Sequence, residues 1–395
     1  MDTITETHGR KLATIQKISK LSPIENSDFL EVAEMEGLGW KVVVKKGELK
    51  VGELVVYFEI DSAIRLKNLI PPLEFLKDKC LKKICDKRGN VLEELVRIKT
   101  IKLRGVISQG LIIPWSAPVG TFPTGETMYI MDFIGGETLA PFDVGKDLTE
   151  AFHVEHFDEI QDYFDTILGT NVQSGCKRAS DFPCWVPKTD EVRLQSCMKF
   201  FDIYKDNWFE VTEKFDGSSM TAIYAPTKRP DKPFYLCSRR FELAFDETSE
   251  WWTPIIQSDL QNKMKSLYET PNTEFTGIEF AIQGEIVGPK FNNNRDRYTE
   301  VHWKVFRIFD VTHQRFVAPK IRYEICKILG LEHVKIIDTN VQIFHYQKNL
   351  DDFLNLVEGL TDHGFQREGM VFKDINDGSI SFKVINNKYL LKEKD

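Results

Sequence analysis

The chain has 395 residues and a formal net charge of −8, and 42% of its residues are hydrophobic. This composition excludes a disordered or fibrous chain, and the length predicts two domains, or two domains with a connector. The acidic balance argues against a protein coated in basic charge, although a local basic surface is compatible with it.

The sequence also indicates a compartment. No apolar run approaches the roughly 20 residues that cross a bilayer, and the N-terminus lacks the apolar region of a signal peptide. The seven cysteines are odd in number and form no C-x-x-C pair, which favours free thiols. We therefore expect no membrane association and a reducing intracellular compartment, cytoplasmic or nuclear.

Residues 1–130 predict short strands separated by glycine turns. Valine-rich and aromatic runs fill the segments 30–60 and 96–114, and glycines interrupt both of them. Such runs between glycine turns are typical of β-strands. Several short strands of this kind indicate a small barrel or sandwich.

The rest of the chain predicts a connector and an α+β domain. Acidic and aromatic residues dominate 131–180, which we interpret as a connector with one short helix. From residue 181, strand-like runs alternate with two amphipathic segments, 248–269 and 349–364, whose apolar residues recur every three to four positions. We predict one α+β catalytic domain over 181–395.

The most informative segment lies near the start of this domain. It reads Glu213-Lys214-Phe215-Asp216-Gly217-Ser218-Ser219. Alone, it has a common explanation, because Asp-Gly is a frequent turn signal and a lysine beside a turn is usually solvated. A functional interpretation therefore depends on the residues that follow.

The segment contains K-x-D-G, and the chain resembles the covalent nucleotidyltransferases, the polynucleotide ligases and mRNA capping enzymes that use this motif for their nucleophile. Five further motifs follow in the family's order: Ser238-Arg239-Arg240, Glu285 in AIQGEIVGP, Phe306-Arg307-Ile308-Phe309-Asp310, REGMVFK from Arg367 to Lys373, and Ser381-Phe382-Lys383-Val384-Ile385. Six ordered matches are a strong signal, whereas a lone K-x-D-G is weak.

The position of the predicted barrel narrows the resemblance. DNA ligases and capping enzymes usually carry a barrel after the last motif, and here only about a dozen residues follow Lys383. Segments 10–18, 38–61, 101–114 and 182–195 resemble the Naegleria-type RNA ligase family. That resemblance implies an N-terminal oligonucleotide-binding (OB) barrel, followed by an α+β nucleotidyltransferase domain of the ATP-grasp-like ligase kind.

The resemblance assigns the nucleophile to Lys214. Its amine is implied to attack the α-phosphate of ATP, releasing pyrophosphate and leaving a lysyl-N-AMP intermediate. AMP then passes to an RNA 5′-phosphate, and a 3′-OH end displaces it. The attacking amine must be neutral, which costs about 4 kcal/mol near pH 7.4 for a lysine of ordinary pKa. A nearby metal ion or desolvation reduces that cost.

Three carboxylates are implied to hold a divalent ion, Mg²⁺ or Mn²⁺, beside the α-phosphate. They are Asp216, Glu285 and Glu368, acting mostly through water. The alternative for each one singly is a surface charge, and for Glu285 also a contact with the ribose. As a set placed by motif order, they favour the metal role.

Lysines of the last two motifs are implied to meet phosphate. Lys383 is the candidate at the α-phosphate. Many relatives have a second lysine two positions later, where this chain has Ile385. Lys373 and Lys388 are the candidates to replace it, with a solvated lysine as the alternative.

The remaining nucleotide contacts are assigned by the same resemblance. Phe309 is the candidate stacking surface for adenine, and we expect Phe306 to be the core member of that pair. Glu213 is expected to accept from the adenine amino group. Gly217, Ser219 and Arg239 are placed in the nucleotide pocket, with Arg239 reaching the ribose and the RNA 5′-phosphate.

Two basic segments lie in the predicted barrel. Our candidates for RNA phosphate contacts are Lys45, Lys46, Lys102 and Arg104. The alternative is a solvated charged face.

The sequence thus predicts an ATP-dependent RNA ligase that acts as a monomer on RNA with 3′-OH and 5′-phosphate ends. An ATP-dependent DNA ligase and a GTP-dependent capping-type enzyme are alternatives of the same class. A nucleic-acid-binding protein with an inactive transferase domain is an alternative of another class. An argument against that last alternative comes from the joint retention of Lys214, Asp216, Glu285, Glu368 and Lys383.

Overall fold

The computed structural model describes residues 10–134, 143–168, 176–188 and 190–392. The N-terminal segment 1–9, which bears on the signal-peptide prediction, lies outside these ranges, as do 135–142 and 169–175 of the predicted connector. The chain divides into two compact units. The first comprises the described residues up to 168 together with Gln195–Met198, and the second comprises the other described residues from 176 onward.

Short strands dominate the first unit. They are β1 (Ala13–Pro23), β2 (Leu30–Met35), β3 (Lys41–Lys45), β4 (Leu54–Phe58), β5 (Ser62–Arg65), β6 (Leu81–Cys85), β7 (Val91–Arg97), β8 (Thr100–Leu103), β9 (Val106–Gln109), β10 (Leu111–Pro114), β11 (Pro118–Thr121), β12 (Thr127–Tyr129) and β13 (Val154–His156). The helices are α1 (Ile130–Phe133) and α2 (Phe157–Leu168), with 3-10 turns at Leu66–Asn68 and Pro71–Asp78.

A twisted sheet with the order β10-β4-β1-β2-β3 forms the centre of this unit. The β8–β9 hairpin lies beside β3, where the Val43 amide donates to Ser108 Oγ at 2.9 Å. Ile15, Val56 and Phe58 are fully buried in the core that this sheet covers. The predicted strand-rich N-terminal domain is confirmed.

The predicted connector differs from the structure. β13 pairs with β5, and α2 packs Phe157, Ile160 and Phe164 against the second sheet, β13-β5-β7-β6. These three residues form one apolar stripe at helical spacing, which the acidic residues between them conceal in the sequence. Residues 143–168 therefore belong to the first unit and contain a three-turn helix.

The second unit mixes strands and helices. Its strands are β14 (Arg178–Asp181), β15 (Val192–Arg193), β16 (Phe209–Lys214), β17 (Ser218–Tyr224), β18 (Phe234–Ser238), β19 (Phe241–Leu243), β20 (Phe280–Val287), β21 (His302–Asp310), β22 (Arg315–Phe316), β23 (Ile336–Val341), β24 (Gly369–Asp374) and β25 (Ser381–Ile385). Its helices are α3 (Phe200–Ile203), α4 (Thr253–Gln257), α5 (Leu260–Glu269), α6 (Pro319–Leu329), α7 (Ile343–Tyr346), α8 (Leu350–Leu356) and α9 (Asn387–Leu390), with a 3-10 turn at Asn292–Asn294. A further 3-10 turn, Leu194–Ser196, begins in this unit and continues into the Gln195–Met198 segment of the first.

The α+β class is confirmed, but both predicted helices are shorter. The 248–269 segment forms two helices, because Asp259 adopts a left-handed conformation (φ 51°) between them. Helix α8 covers only the first half of 349–364 and ends before Gly359, whose φ is 151°. Left-handed backbone interrupts a right-handed helix.

Two sheets of this unit carry the motifs. One has the order β14-β19-β18-β17-β20-β21-β22 and the other β15-β25-β24-β16-β23. Because β16 belongs to the second sheet and β17 to the first, the K-x-D-G turn passes from one sheet to the other. No helix in the described ranges is long and apolar enough to span a bilayer.

Candidate active site

The amine of Lys214 forms an ion pair with Glu368. Its Nζ lies 2.7 Å from Glu368 Oε1, because the antiparallel pairing of β16 and β24 places Lys214 opposite Gly369. Desolvation lowers the pKa of Lys214, but the charges of Glu368, Glu285 and Asp216 outweigh it and raise that pKa above its ordinary value. The resting site therefore holds the lysine protonated and unreactive.

Glu285, on β20, is the second carboxylate near Lys214. It pairs across the sheet with Ser219, and its Oε1 accepts from the Gly217 amide at 3.1 Å. A Cβ at position 217 would lie 2.4 Å from the Ile286 carbonyl oxygen, so only glycine permits this close approach. Burial raises the pKa of Glu285 to about 8, although Lys214 opposes that shift.

One carboxylate oxygen of this site lacks the hydrogen-bond donor that a buried anion requires. Glu368 Oε2 is buried with no hydrogen-bond donor in the described part of the chain, and burial raises the pKa of this carboxyl. Uncompensated buried charge is costly, so a cation beside these oxygens would stabilise the site. Among the described residues, no three acidic, His or Cys side chains are arranged as direct metal ligands. Carboxylate oxygens are ligands that hydrated Mg²⁺ or Mn²⁺ accepts, so the donor set of Asp216, Glu285 and Glu368 fits such an ion.

Three residues outside the predicted motifs surround the Asp216 carboxylate. The side-chain amide of Asn292 donates to Oδ1, and Arg295 Nη1 lies 3.6 Å from Oδ2. The Tyr389 side chain lies close enough to Asp216 for the two groups to interact electrostatically. Both oxygens of the carboxylate thus have a partner.

Both lysines expected at phosphate are paired with carboxylates. Because β15 runs parallel to β25, it brings Asp190 into an ion pair with Lys383. Glu191 lies 3.6 Å from Lys373, which is 3% exposed and whose pKa desolvation lowers to about 8.

Because Lys373 is buried and paired with Glu191, it is not a solvated surface lysine. The same burial gives no support to the predicted contact between Lys373 and phosphate. Lys388, the other candidate, pairs with Glu358 at 2.6 Å. Whether Lys373 or Lys388 replaces the lysine missing at position 385 stays a prediction.

The burial of the two phenylalanines in the β21 motif is the reverse of the prediction, which placed Phe306 in the core and Phe309 in the nucleotide pocket. Phe309 is 5% exposed in an apolar cluster with Val186, while Phe306 is half-buried with its ring 5.9 Å from Lys373 Nζ. The cause is a bulge, because Gln283 pairs with Arg307 and the next pair skips residue 306. A bulge re-aims the extra side chain. The prediction that Phe306 is the core member is wrong, and exposure favours Phe306 over Phe309 as a stacking surface.

Glu213 has a buried acceptor without a donor. Its Oε2 forms no hydrogen bond in the described chain, and Lys335 and Arg367 approach it only to 4.0 Å. Burial raises the pKa of Glu213. Arg239 is exposed in the turn between β18 and β19, and Ser219 is half-buried opposite Glu285.

The predicted RNA contacts are exposed in the first unit. Lys45 and Lys46 end β3 and begin its turn, whereas Lys102 and Arg104 lie on the neighbouring β8–β9 hairpin. Arg97, from the same basic segment, instead pairs with Asp61 at 3.0 Å and lies over the Phe157 ring. Arg97 is therefore engaged within the unit, whereas the four candidates for RNA contact are exposed to solvent.

The sequence analysis missed five residues of the site. They are Asp190, Glu191, Asn292, Arg295 and Tyr389. One signal was available, since three consecutive asparagines follow the Glu285 motif and asparagine tolerates left-handed turns. The pairing of Asp190 and Glu191 with lysines from β25 and β24 depends on tertiary contacts that have no sequence signal.

Comparison with known proteins covers both units. An OB-fold domain model matches residues 12–115, and an RNA ligase model matches 208–385. A search of curated protein sequences finds no match.

Solved structures of Naegleria gruberi RNA ligase are similar over almost the whole chain. A glutamate-to-alanine mutant with ATP and Mn is 30% identical, with a TM-score of 0.76 and coverage of 98% of this chain and 100% of that one. The ligase with PPi gives the same four values. A lysine-to-methionine mutant with AMP and Mn is 29% identical, with a TM-score of 0.74 and the same coverage. The chain belongs to the Naegleria-type RNA ligase family.

Proposed function

We propose that this protein is an ATP-dependent RNA ligase that joins 3′-OH and 5′-phosphate ends through lysyl-AMP on Lys214. The observation that carries the proposal is the Lys214 amine held at 2.7 Å from Glu368, among the carboxylates that the family motifs predict. Solved Naegleria structures contain ATP, AMP, PPi and Mn, which correspond to the substrate, the transferred group, the leaving group and the metal of this reaction.

In the first step the Lys214 ammonium gives up a proton to solvent, its nitrogen bonds to the α-phosphorus of ATP, and the bond to pyrophosphate breaks. Asp216, Glu285 and Glu368 would hold a hydrated Mg²⁺ or Mn²⁺, which would supply positive charge beside the α-phosphate. Positive charge beside these carboxylates would oppose their effect on the pKa of Lys214 and favour its neutral amine.

The pocket residues divide the recognition of ATP between base and phosphate. The orphaned Oε2 of Glu213 suits the adenine amino group, whose N–H would satisfy it. Lys383 exchanges Asp190 for the α-phosphate. Gly217 and Ser219 line the turn beside Glu285, and Arg239 is free to reach the ribose or the RNA 5′-phosphate.

We assign RNA positioning to the first unit and nucleotidyl transfer to the second. Because one chain carries both units and the whole motif set, we propose a monomer. After AMP has moved to the RNA 5′-phosphate, the 3′-OH attacks that phosphorus and AMP leaves. Sealing should therefore require a 5′-phosphate and ATP, and should fail with a 5′-OH or with GTP. Sealing of an all-DNA nick as fast as of RNA would favour the DNA ligase alternative.

The basic surface can be tested by salt titration. Replacing Lys45, Lys46, Lys102 and Arg104 with glutamine should make the slope of log binding constant against log salt shallower by about three for single-stranded RNA, if all four meet phosphates. Lys20→Gln is a matched control, because Lys20 is exposed but already paired with Glu34 at 3.1 Å. An unchanged slope in the fourfold variant would mean that these side chains are only solvated.

A further inference from the structure

We infer that Asn292, Arg295 and Tyr389 form a positioning set that fixes the orientation of the Asp216 carboxylate in the nucleotide pocket. This inference deepens the proposed function and rests on the role assigned there to Asp216. Asn292 donates to one oxygen and Arg295 lies 3.6 Å from the other, while the Tyr389 ring lies under Arg295 and its side chain interacts electrostatically with Asp216. A carboxylate with donors on both oxygens has little freedom to rotate.

The backbone that presents Asn292 is strained. Residues 292, 293 and 294 have φ values of 39°, 57° and 43°. Left-handed backbone is unfavourable for residues other than glycine, although asparagine tolerates it better than most, and a run of such residues persists only where the surroundings enforce it. Three in succession, directly after the motif of Glu285, point to a constraint at this site.

Contacts on both sides of the turn enforce it. Phe291, 2% exposed, packs edge-on against Trp251 at 5.2 Å. Asn294 exchanges two hydrogen bonds with the backbone of Tyr298, at 2.8 and 2.7 Å. The turn is thus anchored before and after Asn292, and the direction of the Asn292 side chain follows from it.

Tyr389 reaches Asp216 from a different segment. It lies on α9, directly after the motif strand that carries Lys383, and is 6% exposed. Asn386 caps this helix by accepting from the Lys388 amide at 2.9 Å and donates to the Arg367 carbonyl at 2.9 Å. The helix end is therefore tied to the segment of Glu368.

Arg295 links the two segments. Its guanidinium lies 3.9 Å from the centre of the Tyr389 ring while its Nη1 faces Asp216. A guanidinium over an aromatic ring is an attractive cation–π contact. Each of the three residues is thus held by something other than Asp216, which allows them to impose an orientation on it.

Two minimal substitutions each remove one polar group. Tyr389→Phe keeps the ring under Arg295 and removes only the hydroxyl. Asn292→Gly keeps the left-handed backbone and removes only the amide. Asn293→Gly is the matched control, because Asn293 is exposed in the same turn, with φ 57°, and in the described chain its side chain makes no hydrogen bond to Asp216.

The experiment measures Mn²⁺ binding to the full-length protein by the electron paramagnetic resonance of free Mn²⁺, together with the rate of lysyl-AMP formation. Tyr389→Phe and Asn292→Gly should each weaken Mn²⁺ binding and slow adenylation by about tenfold, the scale of losing one polar interaction with a charged group. Asn293→Gly should match the parent protein in both. In an Asp216→Ala background, Tyr389→Phe should add no further loss, because it acts through Asp216.

The Asp216→Ala variant distinguishes a failure of the proposed role of Asp216 from a failure of the positioning set. If Asp216→Ala bound Mn²⁺ and formed lysyl-AMP like the parent, the proposed role of Asp216 would be wrong. If Asp216→Ala were impaired while Tyr389→Phe and Asn292→Gly behaved like the parent, only the positioning set would be refuted. Additive losses in the Tyr389→Phe, Asp216→Ala double variant would assign Tyr389 a structural role instead and would also overturn the inference.

Discussion

Glu368→Gln should make Lys214 more reactive toward an external reagent and less reactive toward ATP. The parent ion pair is 2.7 Å long, and the two side chains are 26% and 14% exposed, so solvent screens it only partly. An opposite charge this close raises a lysine pKa by about one to three units. Because Glu285 and Asp216 remain in the variant, we expect the lysine pKa to fall by only about one unit. That fall corresponds to about tenfold more neutral amine at the same pH.

The assay is site-resolved modification of the metal-free and nucleotide-free protein by trinitrobenzenesulfonate, with peptides quantified by mass spectrometry. Lys214 should be modified about tenfold faster in Glu368→Gln than in the parent. Adenylation by ATP should instead fall by at least about a hundredfold, because one electrostatic contact of the reacting centre is lost. These opposite changes distinguish a role in the reaction from general loosening of the pocket.

Glu358→Gln provides the matched control. It removes the carboxylate partner of Lys388, a pair 2.6 Å long whose lysine is 59% exposed. Exposed pairs contribute little, and Lys214 should be unaffected. If Lys214 in folded Glu368→Gln were modified at the parent rate or more slowly, the claim that Glu368 holds the amine protonated would be refuted.

Further predictions concern pH, nucleotide affinity and metal. Burial raises the pKa of Glu285 from its ordinary value of 4.5 to about 8, so the folded protein retains a proton that the unfolded chain releases. The melting temperature of the metal-free protein should therefore fall as the pH rises from about 4.5 to about 8. The Glu285→Gln variant should show a smaller fall, and added Mg²⁺ should reduce the fall in the parent. A melting temperature that rises with pH in the parent, or an unaltered slope in the variant, would contradict this. Asp190→Asn should lower the KM for ATP in lysyl-AMP formation by about fivefold with little change in kcat, because the pair it breaks with Lys383 has one half-exposed partner, Asp190, and is worth about 1 kcal/mol. A raised KM would show that Asp190 assists binding.

Motif order and glycine turns made much of the architecture predictable. The strands of the first unit follow from valine-rich runs between glycines, and the cross-sheet meeting of Lys214, Glu285 and Glu368 follows from family motifs whose spacing suits adjacent strands. Local sequence carries these features because they depend on side-chain alternation and turn chemistry.

The remaining features depend on tertiary contacts. The β-bulge at Phe306 turns that ring toward Lys373, and Phe309 lies in the core. A prediction from regular side-chain alternation does not include the bulge, so it cannot give these two positions. Helix α2 hides a narrow apolar stripe among acidic residues. Asp190 and Asn292 gain their roles only when distant strands bring Lys383 and Asp216 beside them.

The most direct test of the central claim is to locate the AMP. The protein is incubated with α-labelled ATP and Mn²⁺ and digested under mildly alkaline conditions, which spare the phosphoramidate bond, before peptide mass spectrometry. The account predicts one AMP on Lys214, release of pyrophosphate, transfer of the AMP to a 5′-phosphorylated RNA, and no label in a folded Lys214→Ala variant. AMP on any other residue, or undiminished labelling of Lys214→Ala, would contradict it.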